Sequence, residues 1–153
     1  MRVLTTLLLT ASLGFAAAVS GVDPILGTWK LNVVKSRYSP GPGPQSQKRI
    51  YAASVDGITV TTTTVDAAGR PSTTAFPAKY DGKVYSVTGI DQASAMALKR
   101  VDERTAEITL QHADKVIAKA ERIVSGDGKT MTITYEESEA DPPVKNVSVY
   151  EKQ

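Results

Sequence analysis

The chain has 153 residues, with 18 basic and 16 acidic side chains, one histidine and no cysteine. This length suits one compact domain and leaves no room for a second. The lack of cysteine excludes disulfides, thiol chemistry and thiolate metal ligands. A nearly neutral chain with scattered Lys and Arg argues against nucleic acid as the main partner.

Residues 1–20 have the pattern of a secretion signal. One positive charge precedes an apolar stretch that ends in small residues, which suits cleavage after Ala18 or Ser20. The stretch is too short for a membrane span. We therefore expect a mature domain of residues 21–153, without a membrane span, that is periplasmic or secreted.

The mature chain opens with a turn signal followed by a strand pattern. Asp23 and Pro24 suit the cap and first position of one short helical turn. Beyond them Trp29, Leu31 and Val33 alternate with polar residues, as a half-buried strand requires. We expect these three side chains to share one face, with Trp29 as a plug at one end of the core.

Short strands separated by turn residues fill the rest of the chain. The segment Ser39 to Pro44 has three Pro and two Gly, which predicts a loop with no room for a pair of helices. Asp56-Gly57 predicts a tight hairpin turn. We expect an all-β domain, a single antiparallel meander barrel of about 8–10 strands, because unpaired edges favour closure. The later strands are predicted at 47–55, 58–66, 72–80, 83–88, 94–101, 105–112, 115–124, 130–138 and 144–152.

Two terminal motifs carry a resemblance to known families. Leu26-Gly27-Thr28-Trp29-Lys30-Leu31 resembles the Gly-x-Trp opening of lipocalins and fatty-acid-binding proteins, and Tyr150-Glu151-Lys152 resembles the end of the latter. Lys35-Ser36 and Tyr80-Asp81-Gly82-Lys83 resemble a group of exported bacterial lipocalin-like proteins. The resemblance implies a calycin-type barrel over 21–153 that binds a small apolar molecule, as a monomer and without a cofactor.

The chain departs from fatty-acid-binding proteins at Ser148. In the intracellular members an arginine commonly lies two residues before the tyrosine that matches Tyr150, and the two hold a carboxylate. A serine hydroxyl offers one donor and no charge. We therefore expect a neutral or weakly polar apolar ligand to bind at least as well as a fatty acid, unless Arg100 or Arg122 faces the interior. Our candidate ligand-binding residues are Trp29, Arg100, Arg122, Asn146, Ser148 and Tyr150.

Other chemistries have weaker support. His112 has the parity of Ile108 and Leu110, so it could face the interior, where a haem contact is a minority alternative. We expect neither a metal site nor catalytic residues, because no catalytic motif is present and one histidine is too few for common sites. The leading function is an exported carrier of an apolar or weakly polar molecule. The alternative is a filled barrel acting as a structural or interaction module of the cell envelope, with an enzyme third.

Overall fold

A computed structural model describes residues 21–90 and 92–153. The signal-peptide prediction for residues 1–20 lies outside these ranges. No helix in the described part of the chain has the length and apolar character that crossing a bilayer requires. Eleven strands form there: β1 Gly27–Leu31, β2 Arg37–Ser39, β3 Ser46–Ser54, β4 Gly57–Val65, β5 Pro71–Ala78, β6 Asp81–Ser86, β7 Ala95–Arg100, β8 Thr105–His112, β9 Lys115–Val124, β10 Thr130–Glu137 and β11 Val144–Lys152.

The strands form one antiparallel sheet that curls into a nearly closed barrel. Its order is β5-β4-β3-β1-β11-β10-β9-β8-β7-β6, and β2 adds to β11 beside β1. β5 and β6 are the two ends of this order and are not paired with each other. Gly89, which follows β6, approaches β5 so closely that an added Cβ would lie 3.1 Å from Thr74 Cγ2. The predicted all-β, antiparallel barrel is confirmed.

The hairpin turns lie within a residue or two of their predicted places. One glycine has a different role from the predicted one, because the first hairpin turns at Val55-Asp56 and Gly57 already pairs with Ser54. A Cβ added at Gly57 would lie 2.2 Å from the carbonyl oxygen of Ala78. Gly57 is therefore required by the close approach of β4 and β5, and not by the turn.

The connection after β1 differs from the sequence-based expectations in two ways: Val33 leaves the core face, and the short strand β2 forms. β1 ends at Leu31, so Val33 does not continue the core face and is 47% exposed. The Ser36 hydroxyl accepts a hydrogen bond from Val149 N at 2.9 Å and donates one to Asn32 O at 2.7 Å. These bonds hold residues 32–36 as a tight loop and place the unpredicted β2 against β11. Residues 40–44, here called the Pro-Gly strap, follow β2.

One end of the barrel is closed by a turn and by Trp29. The predicted short helix is a single turn, in which Leu26 N donates to Asp23 O at 3.0 Å. The Trp29 side chain is completely buried, and its Nε1 donates to Ile25 O at 2.6 Å. Lys152 Nζ lies 5.1 Å from the Trp29 ring centre. The indole thus plugs this end of the barrel, as the sequence predicts.

Replacing Trp29 by alanine should lower the free energy of unfolding by about 3–5 kcal/mol, because the cavity left behind cannot collapse fully. Urea unfolding followed by circular dichroism measures the change. Val34, which is 91% exposed, provides the control, and Val34→Ala should stay within about 0.5 kcal/mol of the wild type. Equal stability of Trp29→Ala and the wild type would contradict the plug.

Candidate ligand-binding site

The barrel encloses a cavity of about 620 Å³, here called the inner chamber. Its volume lies in the range of small-molecule sites in proteins. Hydroxyl groups, the ion pair between Arg70 and Asp66, and two further arginines, Arg49 and Arg122, interrupt a wall that is otherwise largely apolar. The apolar lining comes mainly from β4 to β9: Ile58, Val60, Phe76, Ala78, Met96, Leu98, Ile108, Leu110 and Ala120. The interior is therefore not filled by the protein's own side chains.

Arg122, on β9, points into the inner chamber and is only 5% exposed. Its Nη2 donates to the Tyr80 hydroxyl at 2.8 Å, and its guanidinium carbon lies 5.2 Å from the Tyr51 ring centre. The Nε atom is buried and has no hydrogen-bond partner among the described residues. Buried donors in native proteins are almost always paired, so an unpaired one needs an explanation.

Arg49, on β3, is the second cation of the inner chamber and is half-buried. Its Nε donates to Gln47 Oε1 at 3.2 Å, and Nη1 lies 3.5 Å from the Tyr51 hydroxyl. Burial opposes its charge, but the phenol oxygens of Tyr150 and Tyr51 outweigh this effect and raise the pKa of Arg49 above its ordinary value. Tyr51 thus lies between the two guanidinium groups.

Neither arginine has an anionic partner in the described part of the chain. None of the ion pairs there, counted to 4.0 Å, includes Arg49 or Arg122. Buried charges are costly unless a partner compensates them. The inner chamber therefore combines apolar walls with two uncompensated positive charges, which is an arrangement suited to an anionic group.

Tyr80 connects Arg122 to the outside of the barrel. Burial raises the pKa of the Tyr80 phenol against the opposing charge of Arg122, so the hydroxyl stays protonated at neutral pH. Arg100 covers its ring, with the guanidinium carbon 3.9 Å from the ring centre. Arg100 in turn pairs with Asp23 at 2.5 Å. Contacts through Arg100 and Tyr80 therefore connect the closing turn of the barrel to the buried Arg122.

A second cavity of about 610 Å³, here called the outer chamber, lies beneath the Pro-Gly strap. Seven residues line both chambers, which therefore meet: Gln47, Arg49, Thr64, Asp66, Arg70, Ile133 and Tyr135. Arg70 and Asp66 form an ion pair at 2.7 Å within this shared wall. The residues that line only the outer chamber include Tyr38, Pro42, Gly43, Pro44, Asn146, Ser148 and Tyr150.

The structure divides the six predicted ligand-binding residues into three groups. Arg122 lines the inner chamber. Asn146, Ser148 and Tyr150 line the outer chamber, where the Ser148 hydroxyl lies 3.0 Å from that of Tyr38 and Asn146 Oδ1 accepts from Ser39 N at 3.2 Å. Trp29 and Arg100 line neither chamber. Trp29 plugs the closed end of the barrel, and Arg100 lies outside that end.

His112 does not face the interior, which corrects the expectation drawn from its parity. It is the last residue of β8, beside a two-residue turn, and is exposed. Alternation indicates which face a residue takes, but not how far along the strand the chamber extends. A haem contact through His112 therefore has no geometric basis. No group of three metal-ligating side chains occurs within residues 21–90 and 92–153.

The sequence reasoning missed Arg49 and Tyr80. Arg49 alternates with Gln47 and with the buried Tyr51, and this parity was the available signal. The apolar Ile50, on the opposite face of β3, gave a conflicting signal for which face is buried. Tyr80 lies in the connection between β5 and β6, where no alternation applies.

No protein-family model and no curated protein matches the sequence. Among solved structures, the chain is similar to zebrafish ileal bile acid-binding protein in complex with cholic acid. The identity is 12%, the TM-score is 0.51, and the match covers 85% of this chain and 99% of that protein. This likeness shows the fold: the chain and the bile acid-binding protein share the architecture of an antiparallel β-barrel.

Replacing Arg122 by methionine should leave the ligand-free protein as stable as the wild type, or more stable. Methionine preserves much of the stem's packing, while the loss of the Tyr80 hydrogen bond is offset by removal of an uncompensated buried charge. Urea unfolding measures the free energy difference. A loss of more than about 2 kcal/mol would mean that Arg122 supports the fold and would contradict a ligand-directed role.

Proposed function

We propose that the protein is a carrier of an amphiphile with one acidic group and a mainly apolar body, which it holds in the inner chamber. The observation that carries this proposal is the buried guanidinium of Arg122, which has no anionic partner within residues 21–90 and 92–153 and keeps a free Nε donor there. A carboxylate is the common biological group that supplies both a negative charge and two acceptor oxygens.

The energetics favour an acid over a neutral ligand. Arg122 already bears the cost of desolvation in the ligand-free protein, so an entering carboxylate meets a cation that is in place. Apolar side chains of the chamber wall would exclude water from the rest of the ligand. This proposal replaces the expectation, based on Ser148 alone, that a neutral ligand binds at least as well as an acid.

The structural neighbour supports an acidic amphiphile, because it is a bile acid-binding protein in complex with cholic acid. At 12% identity, that likeness concerns the fold. The choice of ligand class therefore rests on the arginines of this chain. We propose a binding protein and not an enzyme, acting as a monomer and without a cofactor.

Export is a further part of the proposal, and it rests on the pattern of residues 1–20. A carrier in the periplasm or outside the cell would move its ligand through an aqueous compartment. Mass spectrometry of the protein from an envelope or medium fraction tests this point. A first residue of Val19 or Gly21 is expected, and retention of Met1 would contradict export.

A competition assay tests the ligand class. Palmitic acid and its alcohol, hexadecanol, are compared as competitors of an environment-sensitive fluorescent probe at neutral pH. The acid should bind at least about tenfold more tightly, because a hydrogen-bonded charge pair contributes more than a neutral hydrogen bond. Arg122→Met should remove most of this preference, and Arg49→Met should reduce it.

Arg100→Met is the matched control, because Arg100 has the same charge but lies outside both chambers. It should keep most of the acid preference. Equal binding of acid and alcohol by the wild type would contradict an anion site. So would an equal loss of preference in Arg100→Met and Arg122→Met, since that pattern would indicate a general effect of net charge.

A further inference from the structure

We infer that the outer chamber is a second recognition site, which binds a neutral hydroxyl-bearing group at the other end of the same ligand. This inference rests on the proposed function, because it places the acidic end of the ligand in the inner chamber. The ligand class would then be a two-ended amphiphile: an acid at one end, an apolar middle, and a hydroxyl or a sugar at the other end.

The wall of the outer chamber carries groups that can both donate and accept hydrogen bonds. The hydroxyls of Tyr38 and Ser148 lie 3.0 Å apart, and either can be the donor. One hydrogen is shared between them, so the other hydroxyl hydrogen remains available to a ligand. The amide nitrogen of Asn146 has no hydrogen-bond partner within the described ranges of the chain, while its oxygen accepts from Ser39 N. These groups donate and accept, as hydroxyl groups of a ligand also do.

Most of the charge on the wall of the outer chamber is compensated within the protein. Asp66 pairs with Arg70 and also accepts hydrogen bonds from the backbone nitrogens of Ala68 and Arg70, each at 2.9 Å. Its carboxylate is therefore already bound. The remaining charge on the wall is Arg49, which the outer chamber shares with the inner one. The polar side chains that line only the outer chamber are neutral, as in Tyr38, Asn146 and Ser148, so a neutral polar group fits that part of the wall better than an ion does.

The two chambers meet along a shared wall that includes Gln47, Arg49 and the Arg70–Asp66 pair, so one molecule can occupy both. Arg122 is joined to the closed end through Tyr80, Arg100 and Asp23, and Ser148 is level with it because both pair with Ile133. Tyr38 and Asn146, which pair with each other, lie one step further toward the strap. An acid held at Arg122 therefore points its far end toward the Pro-Gly strap.

The fold holds the Tyr38 side of the outer chamber in place. Gly43 of the strap lies against the Tyr38 ring, and a Cβ added there would be 2.1 Å from Cδ2 of that ring. β2 pairs with β11, and Tyr38 lies opposite Asn146 in this pairing. The phenol is therefore fixed before a ligand arrives, which reduces the entropic cost of binding.

The test compares palmitic acid with ω-hydroxypalmitic acid in the same probe-displacement assay. The wild type should bind the hydroxy acid about threefold to tenfold more tightly, as one added neutral hydrogen bond allows. The double variant Tyr38→Phe/Ser148→Ala should bind the hydroxy acid less tightly than palmitic acid, because the hydroxyl then loses its partners. Its affinity for palmitic acid should stay within about twofold of the wild type.

Tyr85→Phe is the matched control, because it also removes a phenol hydroxyl but lines neither chamber. It should keep the wild-type preference, and thermal melting of each variant should show that it is folded. Tight, Arg122-dependent binding of palmitic acid with no gain from the hydroxyl would overturn this inference alone. If neither acid binds, or if binding ignores Arg122, the proposed function fails and this inference fails with it.

Discussion

The hydrogen bond from Arg122 to the Tyr80 hydroxyl is the interaction on which the site depends. A guanidinium inside an apolar barrel can persist only where some group orients it, and at 2.8 Å the neutral phenol does so without neutralising its charge. A protein carboxylate in place of the Tyr80 hydroxyl would have neutralised Arg122 and left no charge for a ligand. Because the phenol leaves the charge uncompensated, the chamber keeps a field that an anionic ligand can use.

The fold supplies what this interaction needs. Trp29 and the turn at Asp23 close one end of the barrel and exclude bulk water there. Arg100 covers the outer side of Tyr80 and ties it to the closing turn. At the other end β2 and the Pro-Gly strap lie over the outer chamber, in a chain whose described part has no helical pair. The two ends of the cavity therefore differ: one is closed, and the other is lined by polar groups.

Local signals predicted most of the fold and only part of the site. Turn residues and alternation placed ten strands within a residue or two, but β2 has only three residues and depends on its pairing with β11. Alternation of apolar and polar residues predicts the wrong inward face in β3 and β9. Ile50 and Ile123 face outward while Arg49 and Arg122 face inward, so the usual reading of apolar residues as the core face points the wrong way.

The ionisation of a bound carboxyl group tests the central claim most directly. Palmitic acid labelled with carbon-13 at its carboxyl reports its own titration by NMR while bound to the protein. An adjacent guanidinium favours the charged form, so we predict a bound pKa at least about one unit below the ordinary carboxyl range. Burial without a cation favours the neutral form. A bound carboxyl that titrates at or above its ordinary range would contradict the account.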